Sequence, residues 1–120
     1  DAICAVRAAI EEGIVPGGGW TYIQAAKKLN KGIIKNVLLE PTRIIAKNAG
    51  ADSSEVLSNM LSNDLGYDAK SKIYCNLLDK GIVDPAKVTR VALENAASIA
   101  GMFLLTECVI DNPTKTNYYD

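Results

Sequence analysis

Three consecutive glycines are the feature of this sequence with the clearest chemical potential. They lie between Pro16 and the predicted helix that begins at Trp20. Glycines there leave backbone amides unobstructed at the positive end of a helix dipole, which suits a nucleotide or another anion. The alternative is a helix–helix turn that needs positive φ angles. This alternative is favoured on the pattern alone, because the sequence has no G-x-G-x-x-G and no Lys-Ser/Thr pair after the glycines.

Three aspartates occupy the ends of predicted elements, where a carboxylate can point into a cleft. Each also has a structural explanation. Asp1 is a first-turn acid that favours the helix dipole, and Asp68 is a turn residue. Asp84 precedes Pro85 and has the position of a helix N-cap. The two roles of Asp84 are compatible, since one carboxylate oxygen can cap the helix while the other binds a ligand.

Several classes of chemistry are excluded or disfavoured by composition. The sequence has no histidine, so Ser-His and Cys-His nucleophile pairs and histidine-containing metal sites are excluded. Cys4, Cys75 and Cys108 form no C-x-x-C motif, which predicts reduced thiols and a reducing compartment. A net charge of −1 disfavours duplex nucleic acid as a partner. We therefore expect no nucleic-acid partner. We also expect no membrane partner, because no apolar run has the length of a membrane span.

The pattern of apolar residues predicts one mainly α-helical domain. The chain has 120 residues, of which 48% are hydrophobic and 22% charged, as in ordinary globular domains. Predicted helices cover residues 1–12, 20–29, 33–48, 53–63 and 85–107, with a kink or break at Pro41. A small β-hairpin is predicted within 66–83 and a short C-terminal strand at 108–110. Because residues 96–105 are apolar on all faces, we expect protein around them.

Two long stretches and one turn resemble group I chaperonins, the GroEL-like family. Residues 1–19, DAICAVRAAIEEGIVPGGG, resemble the family signature. Residues 84–108, DPAKVTRVALENAASIAGMFLLTEC, resemble the last long helix of its equatorial domain. Between them, GYDA at 66–69 resembles a Gly-Tyr-Asn-Ala turn of the family. Order and spacing agree over about residues 1–111.

The resemblance implies a domain division and a set of site residues. Residues 1–12 would end an intermediate-domain helix, 13–111 would form the C-terminal part of an equatorial ATP-binding domain, and 112–120 would be a polar tail. Asp1 would be the catalytic aspartate that orients the attacking water. The nucleotide-binding residues would be Gly17, Gly18, Asp68, Ala69, Ile82 and Asp84, with Asp68 and Ala69 near the adenine and Asp84 on the ribose hydroxyls.

The resemblance also implies a cofactor, partners and a location. The cofactor would be ATP with Mg²⁺, although the metal-holding aspartate and the Gly-Asp-Gly-Thr-Thr phosphate loop are absent from these 120 residues. We therefore expect a fragment that hydrolyses ATP only as part of a complete chaperonin. Partners would be copies of the same subunit in a ring, a co-chaperonin and unfolded polypeptides. The location would be cytoplasmic, or the mitochondrial matrix or plastid stroma.

Three residues depart from the family pattern. Asp68 replaces an asparagine, and Lys70 replaces a small residue. Trp20 replaces a smaller apolar residue, and its larger side chain would crowd the site. Lys70, Trp20 and a turn at residues 30–32 that is shorter than usual in the family support an alternative, a degenerate chaperonin-like helical interaction module without ATPase activity. A second alternative is a small enzyme that uses residues 17–19 as an anion site, but it lacks a nucleophile–base pair.

Overall fold

The computed structural model describes residues 2–110 and confirms a mainly α-helical fold with five helices and small antiparallel sheets. In chain order the elements are α1 (Ala2–Glu12), β1 (Ile14–Pro16), α2 (Trp20–Lys27), α3 (Ile33–Asn48), α4 (Ser53–Ser62), β2 (Gly66–Asp68), β3 (Ile73–Cys75), β4 (Val83–Pro85) and α5 (Ala86–Leu105).

Helices α2, α3 and α4 pack together and form the core with Tyr67 from β2. Its buried side chains are Ile23, Ala46, Val56, Leu57 and Met60 from these helices and Tyr67 from β2. The start of α4 follows the predicted cap, because Asp52 accepts hydrogen bonds from the amides of Ser54, at 2.8 Å, and Glu55, at 3.4 Å. This core fixes the position of every loop that follows a helix in this half of the chain.

Two short antiparallel sheets lie beside the core. The predicted hairpin forms between β2 and β3, where Tyr67 is opposite Tyr74 and the ring centroids are 5.4 Å apart. Val83 takes no part in this hairpin. It lies in β4, which pairs with β1, and the register places Pro16 opposite Val83 and Val15 opposite Asp84. The second sheet therefore joins residues almost 70 positions apart in sequence.

Three predicted details differ from the structure. Helix α3 runs through Pro41, so of the kink or break predicted there the break does not occur; Val37, whose carbonyl loses its i+4 donor to the proline, is exposed, so water can satisfy that oxygen. Helix α5 starts at Ala86, with Pro85 as N-cap in extended geometry, and ends at Leu105. Residues 108–110 form no strand, because no partner strand lies beside them in the described part of the chain.

Helix α1 is joined to the first half of α5 by ion pairs. Lys87 pairs with Glu11, and Arg90 binds Glu12 through two nitrogens, at 2.7 and 3.2 Å. Arg90 also pairs with Glu94 one turn later, at 2.8 Å. The hydrogen bond from Arg90 lowers the pKa of Glu12, and the same contacts raise the pKa of Arg90. Charged side chains therefore supply contacts between these two helices.

The second half of α5 has no packing partner within residues 2–110. None of the residues of this helix is buried, and Leu104 is 87% exposed. By length and composition alone, α5 is the one helix in residues 2–110 apolar enough to cross a membrane. That is weak evidence, since the core helix of a globular protein has the same composition. The apolar face that was expected to be surrounded by protein is thus open in this chain alone.

Candidate functional site

The β1–β4 sheet brings the glycine turn next to Asp84. The turn follows β1 directly, and the Gly17 amide donates to the Ile82 carbonyl at 2.9 Å. A methyl group on Gly17 would lie 3.3 Å from both Asp84 Oδ2 and the Ile82 carbonyl oxygen. Only a residue without a side chain leaves the carboxylate this close to the backbone. The first and last parts of the predicted site are therefore in contact.

The Asp84 carboxylate is not a helix cap. Asp84 lies in β4, and Pro85, the N-cap of α5, makes no side-chain capping bond. The interpretation of Asp84 as N-cap is thus wrong, because α5 begins one residue later than predicted and Pro85 has the N-cap position. The Asp84 side chain is exposed and lies beside the glycine turn. Its charge, together with burial as the larger cause, raises the pKa of Tyr22.

The glycine turn also has the steric role that was its simpler explanation. Gly18 and Gly19 have φ angles of 62° and 78°, in the left-handed region that glycine tolerates. A methyl group on Gly19 would collide with Thr42 Oγ1 of α3. The Thr42 hydroxyl donates to the Gly18 carbonyl at 3.2 Å. The three glycines therefore permit both the turn into α2 and the close approach of Asp84.

A cavity of about 430 Å³ opens next to this turn. It is lined by four of the residues that the sequence singled out, namely Gly18, Asp68, Ala69 and Ile82. Ile45 and Tyr67 add apolar wall, and Lys70 and Lys80 add positive charge. This volume is within the usual range for small-molecule sites. Gly17 precedes Gly18 and lies against Asp84, so the glycine turn connects the Asp84 carboxylate with this cavity.

The side chain of Asp68 closes its own turn. Its Oδ1 accepts from the amides of Lys70, at 2.9 Å, and Ser71, at 3.3 Å, and its Oδ2 accepts from the Ser71 hydroxyl. The Ser71 hydroxyl is the largest cause of a lowered pKa for Asp68. The interpretation of Asp68 as a turn residue is confirmed. Its backbone and the remaining acceptor positions of its carboxylate are the groups that a ligand can still contact.

Trp20 does not line the cavity. It lies on the opposite side of the glycine turn, in a smaller recess of about 240 Å³ with Pro16, Gly66 and Leu77. Its ring packs against the buried core. The crowding expected from a large residue after the glycines therefore does not occur.

Two grooves along α5 are comparable in size to the site cavity but differ in chemistry. One, of about 490 Å³, lies between α1 and α5, and the other, of about 430 Å³, between α3 and α5. Apolar side chains such as Val88, Leu93 and Ile44 form most of their walls. Neither contains a predicted site residue. They are surfaces for packing rather than sites with converging polar groups.

Two expectations are not addressed by the described residues. Asp1, the predicted catalytic residue, lies outside residues 2–110. For the metal, no cluster of three or more His, Cys, Asp or Glu side chains occurs within that part of the chain.

Sequence reasoning missed Ile45, Tyr67 and Lys80 as cavity residues. Ile45 and Lys80 reach the cavity through the packing of α3 and through the loop before β4, contacts that no local pattern encodes. Tyr67 had a usable signal, because it lies between two residues of the predicted turn.

The fold and this site together define a chaperonin-type domain. Residues 1–114 match the model of the TCP-1/cpn60 chaperonin family. Because this match covers nearly the whole chain, the chain belongs to the TCP-1/cpn60 chaperonin family.

A solved structure agrees with this assignment. The chain is similar to a group III chaperonin crystallised in the open state, with a TM-score of 0.74 and 28% sequence identity. The similarity covers 86% of this chain and 25% of that chain. The 120 residues thus span about a quarter of the length of the chaperonin that they match.

Proposed function

We propose that this chain is the C-terminal part of the ATP-binding equatorial domain of a chaperonin, and that it belongs to group I, whose motifs its sequence resembles. In this proposal, residues 1–12 end an intermediate-domain helix, 13–111 belong to the equatorial domain and 112–120 are a polar tail. The complete subunit uses ATP to assist the folding of non-native proteins.

One observation carries the proposal. The antiparallel pairing of β1 with β4 places the glycine turn against Asp84, and the cavity beside them is lined by the turn at Tyr67–Ala69. Three segments that are distant in sequence thus meet at one surface. A turn with a purely structural role explains the positive φ angles. It does not explain why an exposed carboxylate faces the turn and why a cavity lies beside it.

The residues present fit a nucleoside. A carboxylate accepts two hydrogen bonds at once, so Asp84 can hold the two hydroxyls of a ribose. Gly17 and Gly18 let the sugar approach the backbone closely. Ile45 and Ile82 offer apolar wall to the faces of a base.

The bound nucleotide supplies the phosphoanhydride bond that is hydrolysed. Asp1, which precedes α1 in the sequence, orients the attacking water in this proposal, because a positioned carboxylate can order and polarise a water molecule.

The partners belong to the same proposal. They are further copies of the subunit in a ring, a co-chaperonin and unfolded polypeptides, in the cytoplasm or in an organelle of bacterial type. Support comes from the family and from the open apolar face at the end of α5, where Met102 and Phe103 are exposed. Surfaces of this kind are covered by other protein in an assembled molecule.

A degenerate chaperonin-like module without ATPase activity is the second candidate. Two observations favour it. The carboxylate of Asp68 is engaged by Ser71 and the Lys70 amide, and Lys70 adds a charge at the cavity where the family has a small residue.

Nucleotide binding by the complete subunit distinguishes the two candidates. We expect the complete protein to bind ATP, and Asp84→Ala to weaken binding by about 10-fold to 100-fold, since a hydrogen-bonded charged group is worth about 1.5–3 kcal/mol. The matched control is Asp79→Ala, an exposed aspartate that does not line the cavity. Isothermal titration calorimetry measures both. Unchanged affinity in Asp84→Ala contradicts the proposed site, and no ATP binding by the wild type favours the degenerate module.

A further inference from the structure

The charged side chains that line the cavity are one carboxylate and two ammonium groups. Asp68 supplies the carboxylate, and Lys70 and Lys80 supply the ammonium groups. The rest of the lining consists of glycine, alanine, two isoleucines and a tyrosine, whose hydroxyl is a further polar group. Among the charged groups of this lining, these three side chains can distinguish between ligands that fit the apolar walls equally well.

The carboxylate is already engaged. Asp68 accepts three hydrogen bonds from Ser71 and the Lys70 amide, as described above. An acceptor that is satisfied within the protein has little to gain from a hydrogen-bond donor on a ligand. What remains at the cavity wall is a pair of donors, because a lysine ammonium donates hydrogen bonds and accepts none.

The proposed function indicates which part of a nucleotide meets these donors. Asp84, which holds the ribose in that proposal, faces Gly17, and the next residue, Gly18, lines the cavity. The base then lies near Asp68 and Ala69, which share the cavity wall with Lys70 and Lys80. This step rests on the proposed function.

Purine bases differ in what they present to such donors. Guanine and hypoxanthine carry a carbonyl oxygen at the six position next to the N7 acceptor, and lysine pairs well with these two atoms. Adenine carries an amino group at the same position, and that group is itself a donor. An ammonium group that faces this amino group has no acceptor for its hydrogen bond, because both groups are donors.

We infer that Lys70 and Lys80 are specificity-determining residues that let this site accept 6-oxopurine nucleotides alongside adenine nucleotides. A chaperonin site with a small residue at position 70 lacks one of these donors. The site described here should therefore discriminate poorly between the two kinds of purine.

The test compares ATP with inosine triphosphate, which differs from ATP only around the six position of the base. Titration calorimetry on the complete protein with Mg²⁺ gives both dissociation constants. In the wild type we expect the two affinities to lie within about 3-fold of each other. In the double variant Lys70→Gln/Lys80→Gln, binding of inosine triphosphate should fall by about 10-fold relative to ATP, the lower end of what one good base contact is worth.

The control variant is Lys72→Gln, which removes the same charge from the same loop at a residue that does not line the cavity. It should leave the ratio of the two affinities unchanged. A wild type that binds ATP but rejects inosine triphosphate by about 100-fold or more contradicts this inference alone. So does a double variant that weakens both nucleotides equally. Failure of the wild type to bind either nucleotide overturns the proposed nucleotide site, and this inference with it.

Discussion

Two regions of this molecule are held together by different forces. The region of α2, α3 and α4 has a core of buried apolar side chains, in which Ile23 and Met60 have no exposed surface. The region of α1 and α5 buries almost none, and its helices meet through the ion pairs of Arg90 and Lys87. The first region is stabilised by apolar burial and close packing, which are worth several kcal/mol for each large side chain.

The difference explains where the candidate site lies. The glycine turn, the Tyr67–Ala69 turn and the Ile82–Asp84 segment all border the well-packed region, so its core holds them in place. The α5 helix starts at that site and extends beyond the core with an open apolar face. The rigid part of the chain thus carries the proposed ligand residues, and the open part offers a surface to further protein.

A pair of methionines tests this contrast with the largest expected effect. Met60 is fully buried, whereas Met102 is 66% exposed. Met60→Ala should reduce the free energy of unfolding by about 2–5 kcal/mol, because it leaves a cavity in the core. Met102→Ala should change it by no more than about 0.5 kcal/mol. Urea unfolding of the 120-residue chain measures both, and equal losses would show that α5 is packed as tightly as α4.

A smaller effect is expected from the ion pairs that join α1 to α5. Arg90 lowers the pKa of Glu12 below its ordinary value of 4.5. A carboxylate with a lowered folded-state pKa stabilises the protein above its unfolded-state pKa, and this contribution is lost as the pH falls through the folded-state value. Glu12→Gln should therefore lower the melting temperature slightly at neutral pH and not at all in strong acid.

Two controls sharpen that experiment. Glu107→Gln changes an exposed acid that follows α5 and should have no such pH-dependent effect. Added salt should reduce the difference between wild type and Glu12→Gln, because exposed pairs are screened. A difference that persists at low pH or in high salt would mean that packing, and not charge, joins α1 to α5.

The helices could be predicted from sequence because their signals are local. The bounds of α3 and the cap of α4 follow from periodicity and from the Asp52–Glu55 spacing, which depend on neighbours within one or two turns. The hairpin at Tyr67–Tyr74 likewise joins residues close in sequence.

The parts that failed depend on distant partners. Asp84 has every local signal of an N-cap, but it pairs with the distant Val15 in the β1–β4 sheet, and α5 begins only at Ala86. The predicted strand at Cys108–Ile110 has suitable residues and no neighbouring strand among those described. Lys80 is an ordinary surface lysine in sequence and becomes a cavity residue only through the fold.

The site itself could be proposed from sequence only through the family resemblance. The glycines and aspartates had structural explanations that were at least as good, and for Asp68 and Gly19 those explanations are correct. No local pattern shows that Gly17 and Asp84 touch.

Hydrogen exchange on the complete protein, with and without MgATP, tests the central claim most directly. The account predicts that ATP slows amide exchange in three separate segments, Gly17–Gly19, Tyr67–Ala69 and Ile82–Asp84. Residues 30–36, which form the end of the loop before α3 and the first turn of that helix, should exchange as before. Bound ATP that leaves these three segments unchanged, or that protects only one of them, would contradict the claim that they form one nucleotide site.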